Sequence, residues 1–210
     1  MTRFGTWLLL LGLITACQSE THAVFSPAPA PTPHTAPTAA VLQSADIPGG
    51  LGVCPGSGPM DVYLSVLETS DPSLAARLSD QWFGLLKTGA DAGAISIFAA
   101  SSSACQAELG ATTNVRAMTS FVARFADSSE ADRAWQAGVF GFAPPPPGEL
   151  TPGLTVGTST GLGASSFTYD RPSVRLACWR RSVYVAMVVV TNLDLNTFRA
   201  ATAAIDRRLN

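Results

Sequence analysis

The chain has 210 residues, 47% of them hydrophobic and 13% charged, with a formal net charge of −2. That length suits one domain with a sizeable core once non-globular segments are set aside. The mildly acidic balance, with Lys87 as the sole lysine, offers none of the basic patch that a nucleic-acid partner demands, so nucleic acid is excluded as a partner.

At the amino terminus, Arg3 precedes an uncharged apolar run from Trp7 to Ile14, and Thr15-Ala16 places small residues before Cys17. That order is the pattern of a secretory signal peptide, because the run falls well short of the roughly 20 residues that cross a bilayer. Ile14-Thr15-Ala16-Cys17 resembles the lipobox of bacterial lipoproteins. The resemblance is confined to this leader. It implies a signal peptide over 1–16, cleavage before Cys17, a diacylglyceryl group on its sulfur and acylation of its amine. It further implies an extracytoplasmic place in the bacterial cell envelope, with the membrane as a partner through the lipid. Two or more acyl chains anchor stably where one is marginal, at about 0.8 kcal/mol per buried CH₂.

Residues 17–40 read as a tether. Ala23 to Thr38 is rich in Ala, Pro and Thr, with prolines at 27, 29, 31, 33 and 37. Repeated prolines fix φ and remove donors, which predicts an extended spacer at about 3.1 Å per residue, on the order of 50 Å in all.

A single globular domain is expected over 41–210. Val62 to Leu67 reads as a strand, followed by Ser70-Asp71-Pro72 as a cap and a helix over Leu74–Lys87 with Leu78, Trp82 and Leu85 on one face. Ile95 to Ala99 adds a short strand. Val115 to Phe125 is a further strand, and Asp127-Ser128-Ser129 opens a helix from Glu130 to Val139. Ser173 to Trp179 alternates apolar and other residues, Arg180-Arg181-Ser182 reads as a turn, and Val183 to Thr191 is apolar on both faces and therefore central in its sheet. Asp194 caps a helix from Leu195 to Leu209 that packs Phe198 and Ile205 on that sheet. Strand, polar cap and helix recur, which predicts an α+β fold: an antiparallel sheet with helices packed on one face, built from a duplicated strand-helix unit.

Between Gly138 and Gly163 lies a long Gly/Pro-rich segment containing Pro144 to Pro147. Loops of this length are functional or plain surface excursions. Phe140, Phe142, Leu150 and Leu154 supply the apolar material for a ligand loop, and a site is expected under this segment. Gly157-Thr158-Ser159-Thr160-Gly161 matches the G-x-S-x-G pattern of a nucleophile elbow, but a serine nucleophile needs a histidine base held by a carboxylate. The histidines are His22 and His34, both in the expected tether.

The same scarcity of histidine argues against zinc, and Cys54, Cys105 and Cys178 lack C-x₂₋₄-C spacing. Asn192, Asp194 and Asn196 imitate the start of a calcium loop, but Thr197 and Ala203 stand where glycine and glutamate belong. No cofactor or metal is expected. In an oxidising compartment one disulfide forms, with Cys54–Cys105 favoured and Cys105–Cys178 next. The domain is accordingly expected to be a non-enzymatic module that binds a small ligand or an envelope protein partner. The competing readings are a hydrolase of envelope polymers through convergent carboxylates, drawn from Glu68, Asp80, Glu108, Asp127, Glu130, Glu149 and Asp170, and a structural assembly subunit.

Overall fold

Runs of β-branched and aromatic residues with a two-residue period build one sheet, and helices cover it. The computed structural model describes residues 34–111, 114–149 and 151–210; the signal peptide, Cys17, the tether as far as Pro33, and Leu150 lie outside the described residues. In chain order the elements are α1 (Pro37–Ala40), β1 (Gly52–Val53), β2 (Gly58–Pro59), α2 (Met60–Ser70), α3 (Pro72–Lys87), β3 (Ala90–Ala99), α4 (Ser102–Cys105), β4 (Ala117–Phe125), α5 (Ser128–Ala137), β5 (Leu154–Val156), β6 (Ser166–Asp170), β7 (Val174–Arg181), β8 (Tyr184–Thr191) and α6 (Leu195–Leu209). The strands form an antiparallel eight-stranded sheet in the order β1-β3-β4-β8-β7-β6-β5, with β2 also pairing with β3. The fold class is α+β, as the sequence implies.

Helices lie on both faces, not on one. One face, the front, carries Ile95, Phe121, Met187, Cys178 and Phe167 side by side, under α2, α3 and α5. The back carries Ala94, Val122, Ala186 and Trp179, under α1 and α6. The physical reason is already in β8: all eight of its residues are buried, and a strand apolar on both sides requires cover on both. This arrangement also removes the expected duplication. The local two-fold of an antiparallel β4–β8 pair would carry α5 to an equivalent place on the same face, yet α6 is on the other.

Val62–Leu67 is helix, not strand. Met60, Tyr63, Leu64 and Leu67 are its buried residues, spaced i, i+3, i+4 and i+7, so the helical period outweighs the β-branched pair Val62 and Val66, which face outward. The caps fare better. Asp71 accepts from the Leu74 amide at 2.9 Å, Asp127 from Ser129 and Glu130, and Asp194 from Thr197. The β7–β8 turn falls at Ser182-Val183, because Arg181 pairs with Tyr184. Arg180 and Arg181 are therefore strand residues on opposite faces. Arg180 forms an ion pair at 3.2 Å with Asp132 of α5, and Arg181 grips both oxygens of Asp206 of α6 at 2.6 and 2.7 Å.

The compact unit spans His34–Asn210, so it takes in 34–40, which composition assigns to the tether. Pro37, Ala40, Val41 and Leu42 are buried on the back of the sheet. This strap crosses β3 and β4 without joining the ladder. Instead the Leu42 amide donates to Ser120 Oγ at 2.9 Å, Ser96 Oγ donates to the Leu42 carbonyl at 3.0 Å, and the two hydroxyls lie 2.9 Å apart. Arg208 clamps its far end through Asp46, at 2.7 and 2.8 Å.

Candidate functional site

The 138–163 segment divides between core and surface. Val139 and Phe142 exchange backbone hydrogen bonds around Phe140-Gly141, both at positive φ (48° and 82°). Such a turn favours asparagine and glycine; here the phenylalanine is tolerated because its ring is buried edge-on against Phe121, with centroids 4.6 Å apart. Phe140 is thus a core residue. Phe142 is partly exposed, and Leu154 sits on edge strand β5 opposite Tyr169, packed against the front core. Pro144 to Pro147 wall a groove of about 250 Å³ over Trp135 and Val156. Ser159 lies exposed in a 3₁₀ turn between β5 and β6, without the strand-to-helix step of an elbow.

A larger cavity, about 430 Å³, opens where sequence reasoning did not look. It runs along the start of β3, between the strap at Pro37 and the α2–α3 pair, and Asp61, Trp82, Asp91, Gly93 and Arg124 line it. Its aromatic wall depends on Gly93. A Cβ there would stand 2.5 Å from Trp82 Cη2, so only glycine lets the indole settle on the strand, edge-on to Phe121 at 6.3 Å. Arg124 is fixed by Asp91, Nε to Oδ1 at 2.9 Å and Nη2 to Oδ2 at 3.1 Å. That hydrogen-bonded carboxylate raises the guanidinium pKa further above its ordinary value. Beside them burial raises the pKa of Tyr184, whose hydroxyl donates to the Thr35 carbonyl at 2.8 Å. Asp61 sits in the first turn of α2 and has no ion pair among the described residues.

Two signals for this cavity were present in the sequence. Reading 60–70 with a helical period places Asp61 on the exposed flank of the helix, beside the buried Met60–Leu64 stripe. A glycine inside the β-rich run Ala90–Ala99 marks a close approach. The pairing across the sheet that adds Arg124 and the strap was not legible.

The acids considered for hydrolysis are engaged separately. Glu108 pairs with Arg77 at 3.1 Å, Glu130 with Arg133 at 3.6 Å and Asp170 with Arg175 at 2.8 Å. Asp127 caps α5, Glu149 accepts from Thr151 Oγ1 at 2.6 Å, and Glu68 and Asp80 are exposed on α2 and α3. No group of three or more His, Cys, Asp or Glu among the described residues is placed to hold a metal. Cys54 and Cys105 form the disulfide, and Cys178 is a free, buried thiol, its pKa pushed up by burial.

No protein-family model, curated protein or solved structure matches the chain.

Proposed function

We propose that the chain is a lipid-anchored protein of the bacterial envelope, held at Cys17, whose folded unit is a non-catalytic module that captures a small, partly apolar ligand or a segment of a partner protein. The observation that carries this reading is the cavity beside Trp82. Its volume, about 430 Å³, falls in the range of roughly 300–1,000 Å³ typical of ligand sites, and it combines an aromatic wall with a few fixed polar groups. The groove under Pro144–Pro147, at about 250 Å³, falls below that range, so the seat belongs at Trp82 and the 138–163 segment is a secondary contact. A non-catalytic role is supported by the pairing of Arg124 with Asp91 and by the separate partners of Glu108, Glu130 and Asp170 among the described residues.

The test is native mass spectrometry of the full lipidated chain, extracted from its own envelope in detergent. A mass excess lost on denaturation, together with palmitate labelling lost in Cys17→Ala, is the expected result. A bare chain that incorporates no palmitate and stays soluble overturns the anchoring. A bare but labelled chain, in which Trp82 fluorescence does not respond to envelope extract, overturns capture.

A further inference from the structure

We propose that the outer surface of the α2–α3 pair, at the end where Phe83 and Leu86 stand, docks on the bilayer surface when the chain is anchored. This rests on the reading of Cys17 as a lipid anchor and goes beyond it, because it gives the folded unit one orientation on the membrane.

The first argument is the face itself. On its inner side α3 buries Leu74, Ala75, Leu78 and Leu85, but near its end the outer side is not polar. Phe83 is 55% exposed and Leu86 41%, and residues three apart share a helix face. Val62, in the first turn of α2, is exposed as well. Apolar residues scattered singly over a surface need no explanation. Here the exposed ones gather where one helix begins and the helix packed against it ends. The sole lysine of the chain belongs to the same face, with Lys87 Nζ 4.4 Å from the centroid of the Phe83 ring.

The second argument is where the chain enters. β3 begins at Ala90, three residues after α3 ends, and Ala90 pairs with Phe125 of β4. The preceding residue, Arg124, pairs with Tyr184, the first residue of β8. The Tyr184 hydroxyl donates to the Thr35 carbonyl at 2.8 Å, and its ring lies edge-on to His34 at 6.1 Å. α3 therefore ends at the end of the sheet where the chain comes in. Residues 18–33 separate His34 from Cys17, a length that reaches at most about 60 Å. An anchored unit is thus held close to lipid by this end, with the Ala99 end of β3 about 30 Å farther off. At that proximity a weak contact suffices. Withdrawing the exposed halves of Phe83 and Leu86 from water favours the docked state by roughly ten-fold or more.

Charge permits the contact. Lys87 and Arg207, both exposed at this end, suit lipid phosphates, and the long lysine stem lets the ammonium rise as the ring goes in. Of the nearby acids, Asp91, Glu130 and Asp132 are each paired with an arginine, which leaves Asp61 and the α5 cap Asp127 at the rim. A second copy of the chain is the poorer occupant, since three side chains fall far short of the roughly 1,000 Å² that a stable protein interface buries.

The experiment uses the full lipidated chain, labelled with ¹⁵N, in nanodiscs of phosphatidylethanolamine and phosphatidylglycerol, with and without a gadolinium-chelating headgroup lipid. Relaxation enhancement is expected at the amides of Val62 and of Phe83 to Thr88, several-fold above that at Val53 and Ala99, and it should persist at one chain per disc. Phe83→Asp with Leu86→Asp, two changes at exposed positions, should keep the chain on the disc and its unfolding midpoint in place while lowering the enhancement at Lys87 and Thr88 by half or more. The gradient in the unsubstituted chain is read independently of that variant. Equal enhancement at both ends, a maximum at Val53 or Val156, or a gradient unchanged in a folded double variant overturns the proposal. Enhancement lost at one chain per disc assigns the face to a second copy and overturns it too. A chain that does not stay with the disc fails the anchoring reading, whereas one that stays and shows no gradient fails the docking alone.

Discussion

The two faces of the sheet are closed by different means. On the front, large rings fill the space: Phe121, Phe125, Phe140, Phe167 and Trp135 meet beneath three helices, and the Cys54–Cys105 disulfide ties the outer strand's approach to α4 across a separation of 51 residues. On the back, the sheet presents many small residues, Ala94, Ser96, Ser120, Ala177 and Ala186. The strap and α6 come close enough there to be fixed by hydrogen bonds and ion pairs. Covalent and apolar closure tolerates salt and acid but not reductant. Polar closure has the opposite weaknesses.

The largest effect should come from opening the front. Cys54→Ser with Cys105→Ser releases a loop of 51 residues, which on the chain-entropy estimate costs about 4 kcal/mol. Urea unfolding of the reduced or doubly substituted chain measures it, and a loss under ~1 kcal/mol would mean that ring packing alone closes this face. The matching cut on the back is Ser120→Ala. It strands the buried Leu42 amide and leaves Ser96 with the Leu42 carbonyl alone, at a cost of about 1–3 kcal/mol, and it should speed hydrogen exchange at Leu42 while the front core stays protected. Equal protection at Leu42 would show that the strap is held by Ala40, Val41 and Leu42 packing and not by the serine pair.

The contrast explains what the sequence disclosed. Local reading succeeded wherever one helix face met one strand: the Asp71 and Asp127 caps with α3 and α5 on the front, the Asp194 cap with α6 on the back, and the β7–β8 hairpin follow local rules. It failed at 60–70, where Val62 and Val66 mimic a strand although the burial period is helical. The remainder of the back was illegible, because its cover beside α6 comes from Pro37–Leu42, whose composition is that of a spacer. Nothing in Pro-Thr-Ala-Ala-Val-Leu announces that Ser96 and Ser120, distant in sequence, will satisfy its backbone. The candidate site shares this defect, since it joins strap, α2, α3 and two strands. The disulfide was recovered because both cysteines sit in non-strand context, whereas Cys178 points into the front core.

A gentler probe of the front is alkali. The Tyr63 hydroxyl is buried without a hydrogen-bond partner among the described residues, and burial first, then the Glu108 charge, pushes its pKa from 10.0 up to about 12. A group whose folded pKa is raised contributes its full stabilisation below the unfolded value and loses it as pH rises through the folded one. Urea midpoints should therefore fall between pH 10 and 12, and Tyr63→Phe should flatten that fall while leaving neutral-pH stability unchanged or slightly higher. A slope unaltered by Tyr63→Phe would assign the alkaline loss elsewhere.

The smallest effects compare ion pairs on the two faces. Arg77–Glu108, on the front, has side chains 58% and 46% exposed; Arg208–Asp46, on the back, has 27% and 13%. Exposed pairs couple by roughly 0.2–1 kcal/mol, and screening and side-chain entropy drive the most exposed toward nothing. Double-mutant cycles should place Arg77–Glu108 at the bottom of that range and Arg208–Asp46 near its top, with added salt removing a larger fraction of the first, because a partly buried pair is screened less. Glu108→Gln has one further readout. Because the Glu108 charge is the second cause of the raised Tyr63 pKa, removing it should move the Tyr63 titration down even where stability at neutral pH does not change. An unmoved titration would leave desolvation as the sole cause of the Tyr63 shift.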